Sequence, residues 1–407
     1  MSYSPQSIDE LADCLAQLNT AAAPVVPIGG DTHSYIGAKP ADNSTRLDLS
    51  GLAGVRFHEP ADMVAAFGAG TTLSDVQSHL AATNQRLDID PGHAGSTLGG
   101  AVAIDHCGPR CHGWGSLRDK ILGLTYVLPK GDVIKIGGRV MKNVAGYDLS
   151  KLMIGSLGTL GVIDEVIFRA NPKGDTERGW LFEIADLPTA WKVAAKIQAS
   201  QLEPVSLCVL DQVAAAALTG VEISPPETAP PETDTPETDT PETAVPAYIF
   251  VAAEGVAAFV DHHESTLTEI VETAPTRAFA GPELCEIWNN WHDRLHCRAD
   301  SRFVVRFGAR GSRCGHLLKD LAEYPGLITY PGRGMGYVNL DDMESVTVLR
   351  QKCELFGGYA AIHWSKEPHD AETVWGVPRD DATIMAALKQ MHDPNGILNP
   401  GRFYGGI

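Results

Sequence analysis

The 407-residue sequence contains no run approaching the roughly 18 consecutive apolar residues that a membrane-spanning helix needs. It is short of basic residues: 32 Lys and Arg stand against 51 Asp and Glu, a formal net charge of −19. That balance argues against gripping nucleic acid by phosphate neutralisation, and against lying on an anionic membrane. The opening residues, Met1-Ser2-Tyr3-Ser4-Pro5, show neither the basic nor the apolar region of a secretory signal. Cysteines are few and scattered: Cys14, Cys107, Cys111, Cys208, Cys285, Cys297, Cys314 and Cys353. None falls in the close C-x2-C-x2-C spacing that holds an iron–sulfur cluster. The expectation is a cytoplasmic protein with mostly buried thiols, reaching a membrane only through a partner complex.

What is present reads as an α+β chain of two or three domains. Ser7 and Glu10 have capping-box spacing, and Ile8, Leu11, Ala12, Leu15 and Leu18 repeat at helical period behind them. Val25–Ile28 reads as a strand running into a glycine loop, Gly29-Gly30-Asp31-Thr32-His33-Ser34. Further strands are expected at 46–52, 63–69, 102–104, 121–128, 133–136 and 161–168, with helices at 72–82 and 148–154. After Asn171-Pro172-Lys173-Gly174 the composition shifts. Strands are expected at 180–185, 205–210, 247–251 and 302–307, and helices at 188–200, 258–271 and 282–296. Residues 225–244 are four pentads, PPETA, PPETD, TPETD and TPETA, with acidic residues and no aromatic or basic ones. Such a tract buries too little apolar surface to offset its ordering entropy, so 224–246 is expected to be a disordered, solvated insertion. A helix at 382–391 leads to a turn fixed by Pro394, Gly396, Pro400 and Gly401.

Three glycine clusters occur within the first 165 residues: Gly29-Gly30; Gly92 through Gly95 to Gly99-Gly100; and Gly155, Gly158 and Gly161. Glycine serves where backbone takes positive φ or approaches a ligand closely. Successive N–H groups in such loops form anion sites suited to a pyrophosphate, with Ser34, Ser96 and Thr97 as added donors. Each cluster is also explicable as a plain turn. A Rossmann reading competes: Gly68-Ala69-Gly70 lies between a strand and a helix, with Asp88 twenty residues on. The third glycine is missing and no parallel βαβ continuation follows.

The stretch from Asp90-Pro91-Gly92 through Ser96-Thr97-Leu98-Gly99-Gly100, Gly108-Pro109-Arg110, Trp114-Gly115-Ser116-Leu117-Arg118-Asp119 and Leu122-Gly123 resembles a known pattern. So do Lys142-Asn143-Val144-Ala145-Gly146-Tyr147-Asp148-Leu149 and Gly155-Ser156-Leu157-Gly158-Thr159-Leu160-Gly161-Val162-Ile163. The pattern is that of the PCMH-type FAD-binding domain, shared by the vanillyl-alcohol oxidase and p-cresol methylhydroxylase superfamily. With the terminal Asp393-Pro394-Asn395-Gly396-Ile397-Leu398-Asn399-Pro400-Gly401-Arg402, it is most similar to the E-subunit family of bacterial glycolate oxidases. The resemblance implies a two-subdomain FAD-binding domain at 1–172 and a mixed α/β cap (substrate) domain at 175–380. A C-terminal helix and turn at 381–407 would pack back on the FAD domain.

The same resemblance implies non-covalent FAD. Gly29, Gly30, Asp31, Thr32 and His33 would cradle the pyrophosphate. Pro91, Gly92, Ser96, Thr97, Gly99 and Gly100 would run beside phosphates and ribityl chain, Gly108 and Ser116 near the flavin edge, and Gly161, Val162 and Ile163 along flavin or adenine. Asn399 and Arg402 would bring the terminal turn to the cofactor or a domain interface. His33 and Cys107 are the local candidates for a covalent link, but neither sits where covalent relatives place theirs. The implied activity is oxidation of glycolate, a 2-hydroxy acid, to glyoxylate. The implied partners are a D-type FAD subunit and an F-type iron–sulfur subunit that takes the electrons. A stand-alone dehydrogenase and a non-catalytic scaffold are the competing readings.

No catalytic residue can be assigned. His106-Cys107-Gly108-Pro109-Arg110-Cys111-His112 carries zinc-type ligands, but at a spacing unsuited to a closed tetrahedral site, so no metal is expected. His262-His263 reads as a solvated helix face, His363 as a structural strand histidine, and Arg302 and Arg306 as carboxylate binders or ion-pair residues.

Overall fold

The computed structural model describes residues 2–139, 148–220, 245–294, 301–378 and 380–407. The Lys142–Tyr147 part of the family-like motif, Cys297 and the acidic pentads lie outside the described residues. The architecture is α+β, and the chain divides into two compact units: residues 1–173 with 361–407, and residues 174–360. The stretch 361–380, expected in the cap, therefore groups with the N-terminal unit.

In the first unit, Ser7 caps the helix Ile8–Thr20 by accepting from the Glu10 N–H. The Glu10 carboxylate reaches back to the Gln6 N–H at 2.8 Å, one residue before the cap. Leu11, Leu15 and Leu18 of this helix pack with Val25, Leu47, Val127, Ile397 and Leu398 in one core. The strands Ser2–Tyr3, Thr45–Asp48 and Val25–Ile28 form a parallel three-stranded sheet in that order. A second sheet has five antiparallel strands, ordered Val55–Glu59, Val64–Gly68, Val162–Arg169, Ile121–Val127 and Val133–Gly137. Gly68-Ala69-Gly70 does lie between a strand and the helix Leu73–Ala81, but every strand around it is antiparallel. That excludes the parallel βαβ unit a Rossmann site requires. Asp88, the proposed ribose acid, is instead buried against Arg86 (2.7 Å) and Lys120 (3.6 Å).

Two local expectations are corrected here. Val102–Ile104 is not a strand: Thr97 caps a short helix, Leu98–Ala103, whose Leu98, Ala101 and Val102 bury one face at helical spacing. The cap outweighs the β preference of a three-residue run. The expected strand at 46–52 ends at Asp48, where a 3-10 turn, Ser50–Leu52, takes over. The edge strand Val55–Glu59 is unanticipated, being largely exposed with no clean apolar alternation.

The second unit is built on an eight-stranded sheet. Its order is Arg277–Ala280, Thr176–Ile184, Ala247–Gly255, Ser206–Asp211, Ile328–Tyr330, Met335–Leu340, Phe303–Gly308 and Tyr359–Ser365. The chain leaves the unit within the last of these. The helix expected at 282–296 breaks at Asn290 into Gly281–Asn289 and Trp291–Arg294. His263 corrects another expectation. It is buried in the helix Ala257–Val271, its Nδ1 donating to the Phe259 carbonyl (2.9 Å) and its Nε2 accepting from the Glu203 N–H (3.1 Å). Burial holds its pKa below the ordinary imidazole value. Only His262 faces solvent.

Among the described residues, no helix is long and apolar enough to cross a membrane. Cys14, Cys208, Cys314 and Cys353 are buried thiols and Cys285 is exposed. Cys107 and Cys111 are not free: they are joined as a disulfide.

Candidate functional site: a glycine-walled cavity

The first unit contains a cavity of about 330 Å³. Its walls come from the loop after strand Val25–Ile28, the 40–49 segment, Ala69, the capped helix Leu98–Ala103, residues 157–163 and the terminal turn. The volume lies in the range of small-molecule sites.

Close backbone packing shapes these walls. A Cβ at Gly30 would run into the Gly95 carbonyl oxygen, and one at Gly29 into the Thr97 hydroxyl. Thr97 Oγ1 in turn accepts the Gly100 N–H at 3.3 Å. Gly99 lies flat on Ala69, where an added Cβ would sit 2.6 Å from the alanine methyl. Gly100 differs: its Cβ would meet one atom within 4 Å, Thr97 Oγ1 at 3.1 Å, and it lines the cavity.

Three non-glycine residues of the walls hold left-handed backbone: Asp31 (φ 53°), Leu157 (φ 52°) and Asn399 (φ 43°). Each such residue costs on the order of 1 kcal/mol, and such outliers gather at functional sites. The surroundings explain how they persist. Asp31 accepts from Arg46 Nη2 at 2.9 Å, and Asn399 Nδ2 donates to the Leu157 carbonyl at 2.7 Å.

The terminal turn is stitched into the wall. The Val25 N–H donates to the Ile397 carbonyl (2.7 Å), and the Asn399 N–H to the Val25 carbonyl (2.8 Å). Arg402, 8% exposed, donates to the Ser34 carbonyl (2.9 Å) and to the Ile36 carbonyl (3.1 Å). Lys389 Nζ links the preceding helix to the Thr159 carbonyl (2.9 Å), the Leu398 carbonyl (2.8 Å) and Asp393 (2.6 Å). Two guanidinium groups, Arg46 and Arg402, against one carboxylate, Asp31, leave the charged lining net cationic. An extended ligand carrying negative charge suits that wall.

His33 sits at one end. Its Nδ1 lies 2.9 Å from Thr32 Oγ1, which lies 3.0 Å from Ser96 Oγ. The His93 and His106 rings are 5.1 and 5.6 Å from it. Burial, then the two neighbouring imidazoles, push its pKa down to about 3, so it is neutral at ordinary pH. Tyr35 Oη bonds His93 Nε2 at 3.1 Å, and His363 packs 5.7 Å from the Tyr35 ring.

Of the residues singled out from sequence, Gly29, Gly30, Asp31, Thr32, His33, Thr97, Gly99, Gly100, Gly161, Val162 and Ile163 line this cavity, as do Asn399 and Arg402. Ser96 stands one layer back, on Thr32. Pro91 and Gly92 are not in the lining, and Gly92 packs on Ser96. Gly108 packs on Asp90, where a Cβ would sit 2.5 Å from the carboxylate. Ser116 caps the helix Leu117–Lys120, its N–H donating to Asp119 at 3.0 Å. Arg46, Leu157 and the 40–44 segment line the cavity without having been anticipated. Leu157 carries a faint signal, a single residue between Gly155 and Gly158, whereas Arg46 carries none. Among the described residues, no cluster of three or more His, Cys, Asp or Glu is placed to hold a metal ion.

The chain is similar to known proteins in the same places. Residues 2–137 match the family model described as FAD binding domain. Residues 370–403 match the model described as FAD linked oxidases, C-terminal domain. An uncharacterised FAD-linked oxidoreductase of Mycobacterium tuberculosis is 33% identical over 218 residues, 54% of this chain and 48% of that protein. Glycolate oxidase subunit GlcE of Escherichia coli is 35% identical over 213 residues, 51% and 60% of the two chains. Glycolate oxidase subunit GlcD of Bacillus subtilis is 26% identical over 432 residues, 98% and 88%. The chain thus spans about half the length of the curated relatives it matches first. A solved structure of alkyldihydroxyacetonephosphate synthase superposes with a TM-score of 0.69 at 17% identity, covering 98% of this chain and 76% of that one, a likeness of fold. Both family matches fall on the unit that holds the cavity, and they indicate FAD: this unit carries the sequence pattern of an FAD binding domain and of the C-terminal domain of FAD linked oxidases.

Proposed function

We propose that the protein is an FAD-dependent oxidoreductase of a 2-hydroxy acid, glycolate being the first substrate to test, working as a subunit of a glycolate-oxidase-like complex. The observation that carries this reading is the cavity itself. Glycine-rich loops from three regions and the terminal turn converge on one net-cationic space, inside the unit to which both FAD family matches map. Bound FAD would supply the two-electron acceptor for oxidation of the hydroxy-bearing carbon.

The chain's own part is holding and orienting. Arg402, fixed by the Ser34 and Ile36 carbonyls, and Arg46, paired with Asp31, offer positive charge to a diphosphate. Gly29 and Gly30 let the loop approach the 95–97 segment and so set the width of the cleft. His33, neutral, presents an imidazole without adding a buried charge. The attachment is non-covalent in this reading: Cys107 is engaged with Cys111, and His33 Nδ1 is in contact with Thr32. Partners of the D-type flavoprotein and F-type iron–sulfur kind would take the electrons onward, supported by the similarity to GlcE and GlcD.

Reconstitution of the purified chain with FAD, followed by acid precipitation, tests the cofactor. Flavin absorbance bound before precipitation and free in the supernatant afterwards is expected. Protein that takes up no flavin would overturn the reading, and a yellow pellet would overturn non-covalent binding. Glycolate-dependent dye reduction, with the chain alone and then with co-expressed partners, separates a complex subunit from a self-sufficient dehydrogenase. Flavin binding without turnover in either setting would identify a carrier or scaffold.

A further inference from the structure

The disulfide between Cys107 and Cys111 enters the reading above only as the bond that occupies Cys107, yet it sits at a junction. On one side the chain is fixed. Asp90, 1% exposed, accepts the Arg110 N–H at 3.0 Å and Arg110 Nε at 2.7 Å. The Arg110 and Arg86 guanidinium groups lie 4.1 and 4.4 Å from the Trp114 ring centre. Lys120 Nζ donates to the Trp114 carbonyl. On the other side the chain is cavity wall. Ala103 and Ile104 line the cavity, Asp105 takes left-handed backbone at φ 52°, and the His106 ring packs against His33. The disulfide spans four residues and joins these two sides, with Cα atoms 6.1 Å apart. Both cysteines are only half-buried, so a small reagent can reach them.

We propose that Cys107 and Cys111 form a thiol–disulfide exchange site for small thiols, and that its state sets how firmly the 103–107 wall is held. The chemistry balances without the cofactor. A thiolate attacks one sulfur, the protein S–S bond breaks and a mixed disulfide forms. A second thiol then releases it. Two cysteine thiols are produced, two external thiols become one disulfide, and two electrons and two protons move to the protein. In the dithiol state the wall keeps its hydrogen bonds, including His106 N–H to the Ala101 carbonyl at 2.8 Å and His106 Nε2 to the Asp90 carbonyl at 3.1 Å, and loses only the covalent tie between residues 107 and 111.

The probe is dithiothreitol, with oxidised dithiothreitol for the reverse direction, applied to the full chain. Thiols are counted by alkylation and mass spectrometry, and backbone opening by hydrogen exchange over residues 103–112. The expected result is two additional alkylated thiols, at Cys107 and Cys111, with faster exchange over 103–112 that oxidation reverses. Cys107→Ser and Cys111→Ser should each exchange like the reduced protein while melting as folded chains. Because the affinity arm alone rests on the FAD reading, it is measured separately. Re-ordering one freed residue costs roughly 1–2 kcal/mol, so the FAD dissociation constant should rise about five- to thirtyfold on reduction. Cysteines 107 and 111 alkylated before any reductant is added would overturn the proposal. So would two new thiols with unchanged exchange over 103–112. A chain that binds no FAD in either state would instead defeat the cofactor reading, leaving thiol count and exchange to decide this one.

Discussion

Gly100 allows the cavity to be blocked without unfolding the protein. It lies inside the helix Leu98–Ala103, where replacing glycine by alanine is worth about 1 kcal/mol of stability. Part of that gain is lost, because the new methyl would stand 3.1 Å from Thr97 Oγ1, the atom that caps the helix. Gly100→Ala should therefore leave apo stability within about 1 kcal/mol of the parent, a melting shift of no more than about 2–4 °C. Gly100→Leu sends a branched side chain into the space the glycine lines. Ligand and side chain then compete for volume, and overpacking of that kind costs about 1–3 kcal/mol. FAD affinity should fall about five- to 150-fold while the apo protein melts near the parent. Gly30→Ala is the contrasting control. Its Cβ meets a backbone oxygen, which cannot rotate aside, so both apo stability and flavin uptake should drop. The assays are absorbance titration of apoprotein with FAD and thermal melting of the same samples. A Gly100→Leu variant that melts normally and binds FAD as tightly as the parent would refute the placement of the ligand against this helix.

Three further outcomes are expected. His33, with its pKa near 3 when folded and near 6.5 when unfolded, takes up a proton on unfolding; its stabilising contribution is present above pH 6.5 and is lost as pH falls toward 3. Its Cε1–H NMR shift should stay flat from pH 7.5 to 4.5, and a mid-range titration would contradict that. Asp211 is pushed up to about 6 by burial, despite accepting the Ala214 and Gly326 N–H groups at 2.7 Å, so the second unit should lose stability as pH rises from about 4 to 6. Asp211→Asn should flatten that slope in urea melts, and equal slopes would assign the pH dependence elsewhere. Deleting residues 225–244 should leave flavin content unchanged, since acidic Pro-Glu-Thr pentads offer nothing to a cofactor wall; a flavin-free deletant would contradict this.

Local chemistry made much of the framework readable. Ser7 caps the first helix and Thr72 the helix Leu73–Ala81, and the period of Leu11, Leu15 and Leu18 marks a buried face. What escaped was set by distant partners. Val102 looks β-prone until Thr97 caps its turn. His263 looks solvated beside His262 until the Glu203 N–H, sixty residues away, is brought onto its Nε2. The glycine loop at 29–33 was legible as part of a site because glycine pairs are conspicuous. Arg46 was not, because an arginine in a strand carries no mark of the Asp31 it will meet. Gly108 and Ser116 read ambiguously from sequence, because packing on Asp90 and capping with Asp119 demand the same residue types as ligand contact.

The hydrogen bonds from residues 397–402 to Val25 and to the 34–36 loop have a consequence for biosynthesis. A wall begun within the first thirty residues waits for the segment near residue 400 before it can close. Nascent chain emerging from the ribosome can build the five-stranded sheet early but not the finished cleft. Loading of a flavin nucleotide into that cleft would therefore wait for residues 397–402 to emerge, and a chain interrupted before residue 397 would leave the ribosome structured yet colourless.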